Sequence, residues 1–244
     1  MPFTFAHPAI VLPLTKLPVK WFSLTGLIVG SIVPDFEYFF RMRVKSTYSH
    51  TIGGVFWFDL PIAIIISFLF HLIVRDSLFK NLPIFLRKRL TTFTKFNWLA
   101  YFADNWPVVL LSILIGIFSH ILWENLTHDN GYIVERITLF KNEIFFNDIP
   151  IPLFKVFQHL STLLGGLYIY YYLWTIPETS NEVRQAKYTY WVVFSVLTCL
   201  IFFLRVIQGL EVRQYGNLIV TIISATLLAF TLTPILTKKW NNGR

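Results

Sequence analysis

Long apolar runs separated by short polar stretches dominate this chain. A helix that crosses a bilayer needs about 20 mostly apolar residues. Five segments reach that length: 52–74, 106–123, 151–175, 189–208 and 217–236. The stretch 19–33 is shorter and fits either a sixth span or a buried or re-entrant helix. Between the first two spans, KNLPIFLRKRLTTFTKF alternates basic and apolar positions, the pattern of a helix or loop lying on lipid headgroups or of an ordinary solvated loop. Residues 124–150 form the main loop outside the membrane, with Asn130-Gly131, Asn147-Asp148 and Pro150 as turn formers. There is no internal repeat, low-complexity tract or Gly/Ser linker. The pattern therefore predicts one all-α, polytopic helical membrane bundle over residues 1–244, with about 5–6 spans.

Composition agrees with the pattern. Hydrophobic residues make up 55% of the chain and charged ones 14%, whereas soluble domains carry about 25% charged residues. The 25 Phe, 11 Tyr and 8 Trp include many rings of the kind that gather at membrane interfaces. A net charge of +8 then points to anionic lipid headgroups, and no nucleic-acid partner is expected. The single cysteine, Cys199, lies in an apolar run, which excludes an intramolecular disulfide framework and a cysteine-based zinc site. Lys16 and Lys20 ahead of WFSLTGLIVGSIV imitate a signal peptide, but no small-x-small cleavage site follows and Pro34-Asp35 interrupts, so the N-terminus is expected to be retained.

Charge also suggests an orientation. The 75–105 connection holds Arg75, Lys80, Arg87, Lys88, Arg89 and Lys95, which marks it as the cytoplasmic side. Threading onward adds Arg184, Lys187, Lys238, Lys239 and Arg244 there. The other side receives Arg41, Arg43, Lys45, Arg136, Lys141 and Arg213, a bias of eleven against six.

The chemistry concentrates in SHILWENLTHDNG, where His120, Glu124 and His128 recur every fourth residue. At about 3.6 residues per turn these three stay within roughly 80° of one helix face. His50 stands just before span 52–74, His120 and His128 at the end of 106–123, and His159 early in 151–175. Because successive spans alternate in direction, all four fall near one membrane face, the less basic and so extracytoplasmic one. His71 lies about 30 Å along its span from His50 and stands apart. Each residue also has an ordinary reading: a histidine at a helix end is commonly a surface or helix-contact residue, Asp35 can cap a helix, and Glu37 can face solvent. Ionisable groups at membrane depth are nevertheless functional candidates by default. His120 and Glu124, one turn apart, can share an ion, whereas His128 cannot join them unless the helix unwinds at Asn130-Gly131. The arrangement favours two or more ions, zinc first, with iron, nickel or manganese suited to the same donors.

The segments MPFTFAHPAIVLPL, GSIVPDFEYFF, YSHTIGG, FDLP, SHILWENLTHDNG and FQHLSTLLG together resemble a bacterial integral-membrane family known only as a domain of unknown function. That pattern is similar to the membrane-bound metal-dependent hydrolases and, more distantly, to zinc-dependent phospholipase C and related single-strand nucleases. The likeness covers most of the first 170 residues, so residues 1–175 would hold a phospholipase-C-like metal-site core and 189–236 would add two further membrane helices. It implies His7 as an N-terminal ligand, Asp35 as a bridging carboxylate, His50 as the next ligand, and His120 with Glu124 as a His-x-x-x-acid pair. His128 and His159 match only the closer family. Glu124 replaces the more usual Asp, and Glu37 stands where a second Asp is common.

The expectation is therefore a metal-dependent hydrolase acting on a lipid or phosphoester, with Asp35, Glu37 and Glu124 as the acids available for catalysis. The chain lacks a G-x-S-x-G elbow, which argues against acyl-enzyme chemistry. Two other classes stay open. One is a non-catalytic protein with a structural metal site or an ion path, although spans 52–74 and 106–123 offer little polar continuity beyond Ser67, His71 and Ser112. The other treats the histidines as interhelical hydrogen-bond partners worth about 0.6 kcal/mol each.

Overall fold

The computed structural model describes residues 3–18, 20–129, 131–179, 185–210 and 214–241, leaving aside the side chains of residues 146 and 238–241. Arg184, Arg213, Arg244 and Asn130 lie outside the described residues, as do the side chains of Lys238 and Lys239. The chain is helical almost throughout. Short helices α1 (Pro8–Val11), α2 (Leu24–Ile32) and α3 (Phe36–Arg41) lead into the long α4 (Ile52–Asn81). Next come α5 (Ile84–Leu90), the long α6 (Trp98–Thr127), α7 (Tyr132–Arg136), α8 (Leu153–Thr175), α9 (Tyr188–Ile207) and α10 (Tyr215–Asn241). One antiparallel hairpin, β1 (Glu143–Phe146) and β2 (Ile149–Pro152), interrupts them within the expected loop. Its turn residues, Asn147 and Asp148, sit at φ +48° and +62°. Two consecutive left-handed residues are what a two-residue hairpin of this hand requires, and Asn and Asp tolerate them best.

The all-α class holds, and four of the expected segments stand out among the described residues. Helices α4, α6, α9 and α10 are long and apolar enough to cross a membrane. The 151–175 segment does form a 23-residue helix, α8, but is not one of the four. Gln158, His159 and a run of tyrosines lower its apolarity. The 19–33 stretch becomes the nine-residue α2, about 14 Å long and too short for a hydrocarbon core of about 30 Å.

Two compact units make up the fold. The first comprises Met1–Asp35, Ser49–Ala63 and Asp104–Thr175. It is organised by α2 lying directly on α6. A side chain at Gly30 would put its Cβ 2.2 Å from the Ile113 carbonyl oxygen, and one at Gly116 would meet Leu27 O at 2.6 Å. Only hydrogen fits at either place, which lets the two backbones touch as small residues do between membrane helices. Ser23 caps α2 by accepting from Gly26 N at 3.2 Å, and its own N–H donates to Ser112 Oγ at 2.8 Å. Val109, Ile113 and Ile117, four residues apart, are fully buried on one stripe of α6. That helix kinks at Asn105 (φ −129°, ψ 22°), two residues before Pro107. Proline lacks an N–H and crowds the carbonyl four residues back, so the regular part starts where the 106–123 span was expected. The N-terminal turn is tied to α8, Phe3 N donating to Thr162 Oγ1 at 3.2 Å.

The second unit comprises Phe36–Tyr48, Ile64–Ala103 and Ile176–Arg244. Its helices α9 and α10 pair, with Phe194 against Phe230 at 4.5 Å between centroids. Ser224 Oγ on α10 donates to Phe39 O of α3 at 2.8 Å, and Asn81 at the end of α4 accepts from Lys187 N and Trp191 Nε1, both at 2.7 Å.

Candidate metal centre

Asp35, His50, His120 and Glu124 converge within the first unit. One donor atom from each lies within 4.8 Å of the other three. The contact of α2 with α6 explains much of this. His120 lies one turn beyond Gly116, and its Nδ1–H donates to Ser31 O at the end of α2, 2.8 Å away. That bond fixes the tautomer and turns Nε2 inward, as metal-binding imidazoles are commonly held. Three residues beyond α2, the Val33–Asp35 turn delivers a fully buried Asp35, whose Oδ2 accepts from Thr4 Oγ1. Oδ1 is left facing His120 Nε2 at 3.7 Å and His50 Nε2 at 3.8 Å.

His50 enters from the start of α4. Thr51 caps that helix, its Oγ1 accepting from Gly54 N at 2.9 Å, so His50 sits just outside the first turn. Its backbone is left-handed, φ +64°, a conformation unusual for histidine and found where surrounding structure holds a functional side chain in place. Ser49 Oγ lies 2.9 Å from Nδ1, and Nε2 reaches Glu124 Oε2 at 2.8 Å. Glu124 Oε1 stands 3.7 Å from His120 Nε2.

The donor set fits a small divalent cation. Bonds of about 2.1 Å at tetrahedral angles put neighbouring donors about 3.4 Å apart, close to the separations here. Asp35 Oδ1, Glu124 Oε1 and His120 Nε2 are buried atoms with no hydrogen-bond partner, although each faces a group of complementary character. Buried polar atoms are normally bonded, so three orphans pointing at one spot call for a cation. Burial, with the nearby Glu124 carboxylate adding to it, pushes the Asp35 carboxyl above its usual range. A bound cation would keep it ionised.

His7 and His128 border this group. His7 stacks on His120 with ring centroids 3.9 Å apart, is almost completely buried, and has neither ring nitrogen in a hydrogen bond. Burial, reinforced by His120, holds its pKa down to about 2, so the imidazole is neutral and its lone pair available. His128 follows the end of α6; its Nδ1–H donates to Glu124 O at 3.0 Å and its Nε2 is 3.7 Å from Glu124 Oε1. It reaches the edge of the group, more exposed than the four.

Two expected residues are not in the group. His159 is exposed on α8. Glu37 is occupied in the second unit: its carboxylate accepts from Arg41 Nη2 at 2.7 Å, Thr47 N at 2.9 Å and Tyr48 N at 2.8 Å. Such bonding makes it the anchor of the loop after α3. Sequence reasoning missed Thr4, Ser31 and Ser49, which orient the donors. Ser31 acts through its carbonyl, which no residue type signals; Thr4 lay inside a recognised motif without being singled out.

The chain belongs to the family described as Domain of unknown function (DUF4184), which matches residues 1–235. No curated protein and no solved structure matches it.

Proposed function

We propose that this protein is a membrane-bound, metal-dependent hydrolase of a lipid or phosphoester substrate. The observation that supports this most is the convergence of Asp35, His50, His120 and Glu124, with Asp35 Oδ1, His120 Nε2 and Glu124 Oε1 buried and turned toward one another. His50 Nε2, His120 Nε2 and Asp35 Oδ1 would hold a divalent ion, zinc being best suited to two imidazoles and carboxylates, with His7 available to a second one. When bound, such an ion lowers the pKa of water from about 16 toward 7 and stabilises negative charge on a phosphoryl or carbonyl oxygen.

The chain's own residues supply the rest. Thr4 holds Asp35 through Oδ2, and Ser31 holds His120 through Nδ1, so both ligands are fixed before a substrate arrives. Glu124 is the group placed to accept a proton. It faces His50, His120 and His128, whose imidazoles would offset the cost of burying its charge. His128, partly exposed at the edge, connects Glu124 with solvent. On the charge bias of the connections, the site opens at the extracytoplasmic face of a bacterial cytoplasmic membrane.

A structural metal site is the second reading. Four protein donors complete a tetrahedral shell, and a complete shell leaves no position for water. Purified protein assayed for bound metal and for product release from phospholipids and soluble phosphoesters separates the two. Metal-dependent turnover that a chelator abolishes supports the hydrolase. Bound metal without turnover of any ester leaves the structural reading.

A further inference from the structure

Residues 75–97 carry six cations, Arg75, Lys80, Arg87, Lys88, Arg89 and Lys95, against one acid of their own, Asp76. Most of these charges are answered within the second unit. Arg75 donates to Asp76 at 2.7 Å and to the carbonyls of Phe96 and Thr94. Arg89 pairs with Glu178, which Lys88 also approaches at 3.7 Å. Lys80 and Lys95 are exposed.

Arg87 is different. It is 6% exposed, its Nε is buried without a hydrogen-bond partner, and among the described residues its side chain makes no ion pair. Only its backbone is bonded among the described residues, its N–H donating to Pro83 O at 2.9 Å and its carbonyl accepting from Thr91 Oγ1 at 2.7 Å. A guanidinium stays protonated at any physiological pH, so this charge cannot be relieved by losing a proton. Taking an uncompensated charge out of water is strongly unfavourable. Among the described residues, the immediate surroundings add Lys88 and Arg89 against Glu178, an excess of positive charge. Ile84, Phe85 and Phe93, on and beside the same helix, are exposed. Basic side chains interleaved with exposed apolar ones are the signature of a segment lying in a lipid interface.

We propose that Arg87 binds a phosphate group presented by an anionic phospholipid headgroup lying against α5, with Lys88 at its rim. The planar fork of the guanidinium matches two phosphate oxygens. Ile84, Phe85 and Phe93 provide apolar surface for the acyl chains of the same lipid. This site shares no residue with the metal centre, and its test is independent of metal content.

The test compares the full-length protein in nanodiscs of phosphatidylcholine alone and of phosphatidylcholine mixed with phosphatidylglycerol. Unfolding temperature and lipid retained in native mass spectrometry are the two readouts. Phosphatidylglycerol should raise both for the wild type. Arg87→Gln should lose most of the gain, Arg87→Lys should keep part of it, and Lys80→Gln, altered at an exposed lysine, should keep all of it. An unchanged lipid response in Arg87→Gln, or an equal loss in Lys80→Gln, overturns the site. A similar rise produced by inorganic phosphate in lipid-free micelles overturns the lipid as the source. Glu182 lies outside the described residues and serves as a control: if Glu182→Gln destabilises lipid-free protein as much as Arg87→Gln, an acid of the chain answers Arg87 and the proposal fails. Should Arg87→Gln not fold, Arg87→Lys and retention by the wild type decide the matter.

Discussion

Two buried histidines on long helices, His120 in the first unit and His71 in the second, show what distinguishes a site from a structural tie. His71 Nδ1 is 2.9 Å from Arg75 Nη1, one turn along the same helix, and its ring stacks on Trp98 at 4.5 Å with planes 4° apart. Arg75 continues to the carbonyls of Thr94 and Phe96, so the group pins the chain that leads into α6. His120 is bonded on one side only, to Ser31 O, and its other nitrogen faces two carboxylates beyond hydrogen-bonding distance. Burial and nearby charge are common to both. Unsatisfied atoms aimed at a common point occur around His120, and those mark it as the candidate centre.

That contrast can be broken in several ways, beginning with the largest effect. His120→Ala should lower metal affinity by more than about 100-fold, a loss beyond that of outer partners. Metal analysis of purified wild type and variant reads it directly, and equal content in both would remove His120 from the centre. Gly30→Ala should cost about 3 kcal/mol or more, because its methyl group meets a backbone carbonyl that cannot rotate away. The unfolding temperature and the metal content should fall together. Retained metal in a destabilised Gly30→Ala protein would mean that the contact of α2 with α6 does not position the donors. Thr4→Val leaves Asp35 in place but removes the donor to Oδ2, and metal affinity should fall by about 10- to 100-fold without loss of the fold.

Acid sensitivity of the metal-free protein sharpens the comparison further. His7 has a folded pKa of about 2 against 6.5 when free. The unfolded chain therefore binds a proton first, and folded stability is lost as pH falls from about 6.5 toward 2. Thermal unfolding in detergent between pH 4 and pH 7 should show a steeper decline for wild type than for His7→Phe; parallel curves would contradict the buried, neutral state. The smallest effect on the centre belongs to His71→Phe. It should reduce stability by about 1 kcal/mol through the lost Arg75 contact and leave metal content unchanged.

Much of the candidate site was legible because helical spacing is local. His120 and Glu124 share a face by their four-residue separation, and the N-terminal His7 and the Pro-Asp turn at Asp35 stood out in the resembling motif. Glu37 shows where that legibility stops. It lies two residues from Asp35, yet the backbone enters α3 between them and its carboxylate is claimed by Arg41 and the amides of Thr47 and Tyr48. His159 fails similarly: position along α8 was readable, but the direction its side chain takes was decided by which face packs on the N-terminal turn.

The sequence by itself determined the helices, their all-α class and the apolarity that suits four of them to a membrane, since hydrophobic periodicity and length act within each segment. It also determined which residue types were available as donors. Only the tertiary structure decided which of them meet. That choice rests on contacts between residues far apart in the chain, such as His120 with Ser31 and Asp35 with Thr4, and on the glycine surfaces that bring α2 and α6 into backbone contact. Those contacts depend on complementary shape across two helices, which no single helix's sequence encodes.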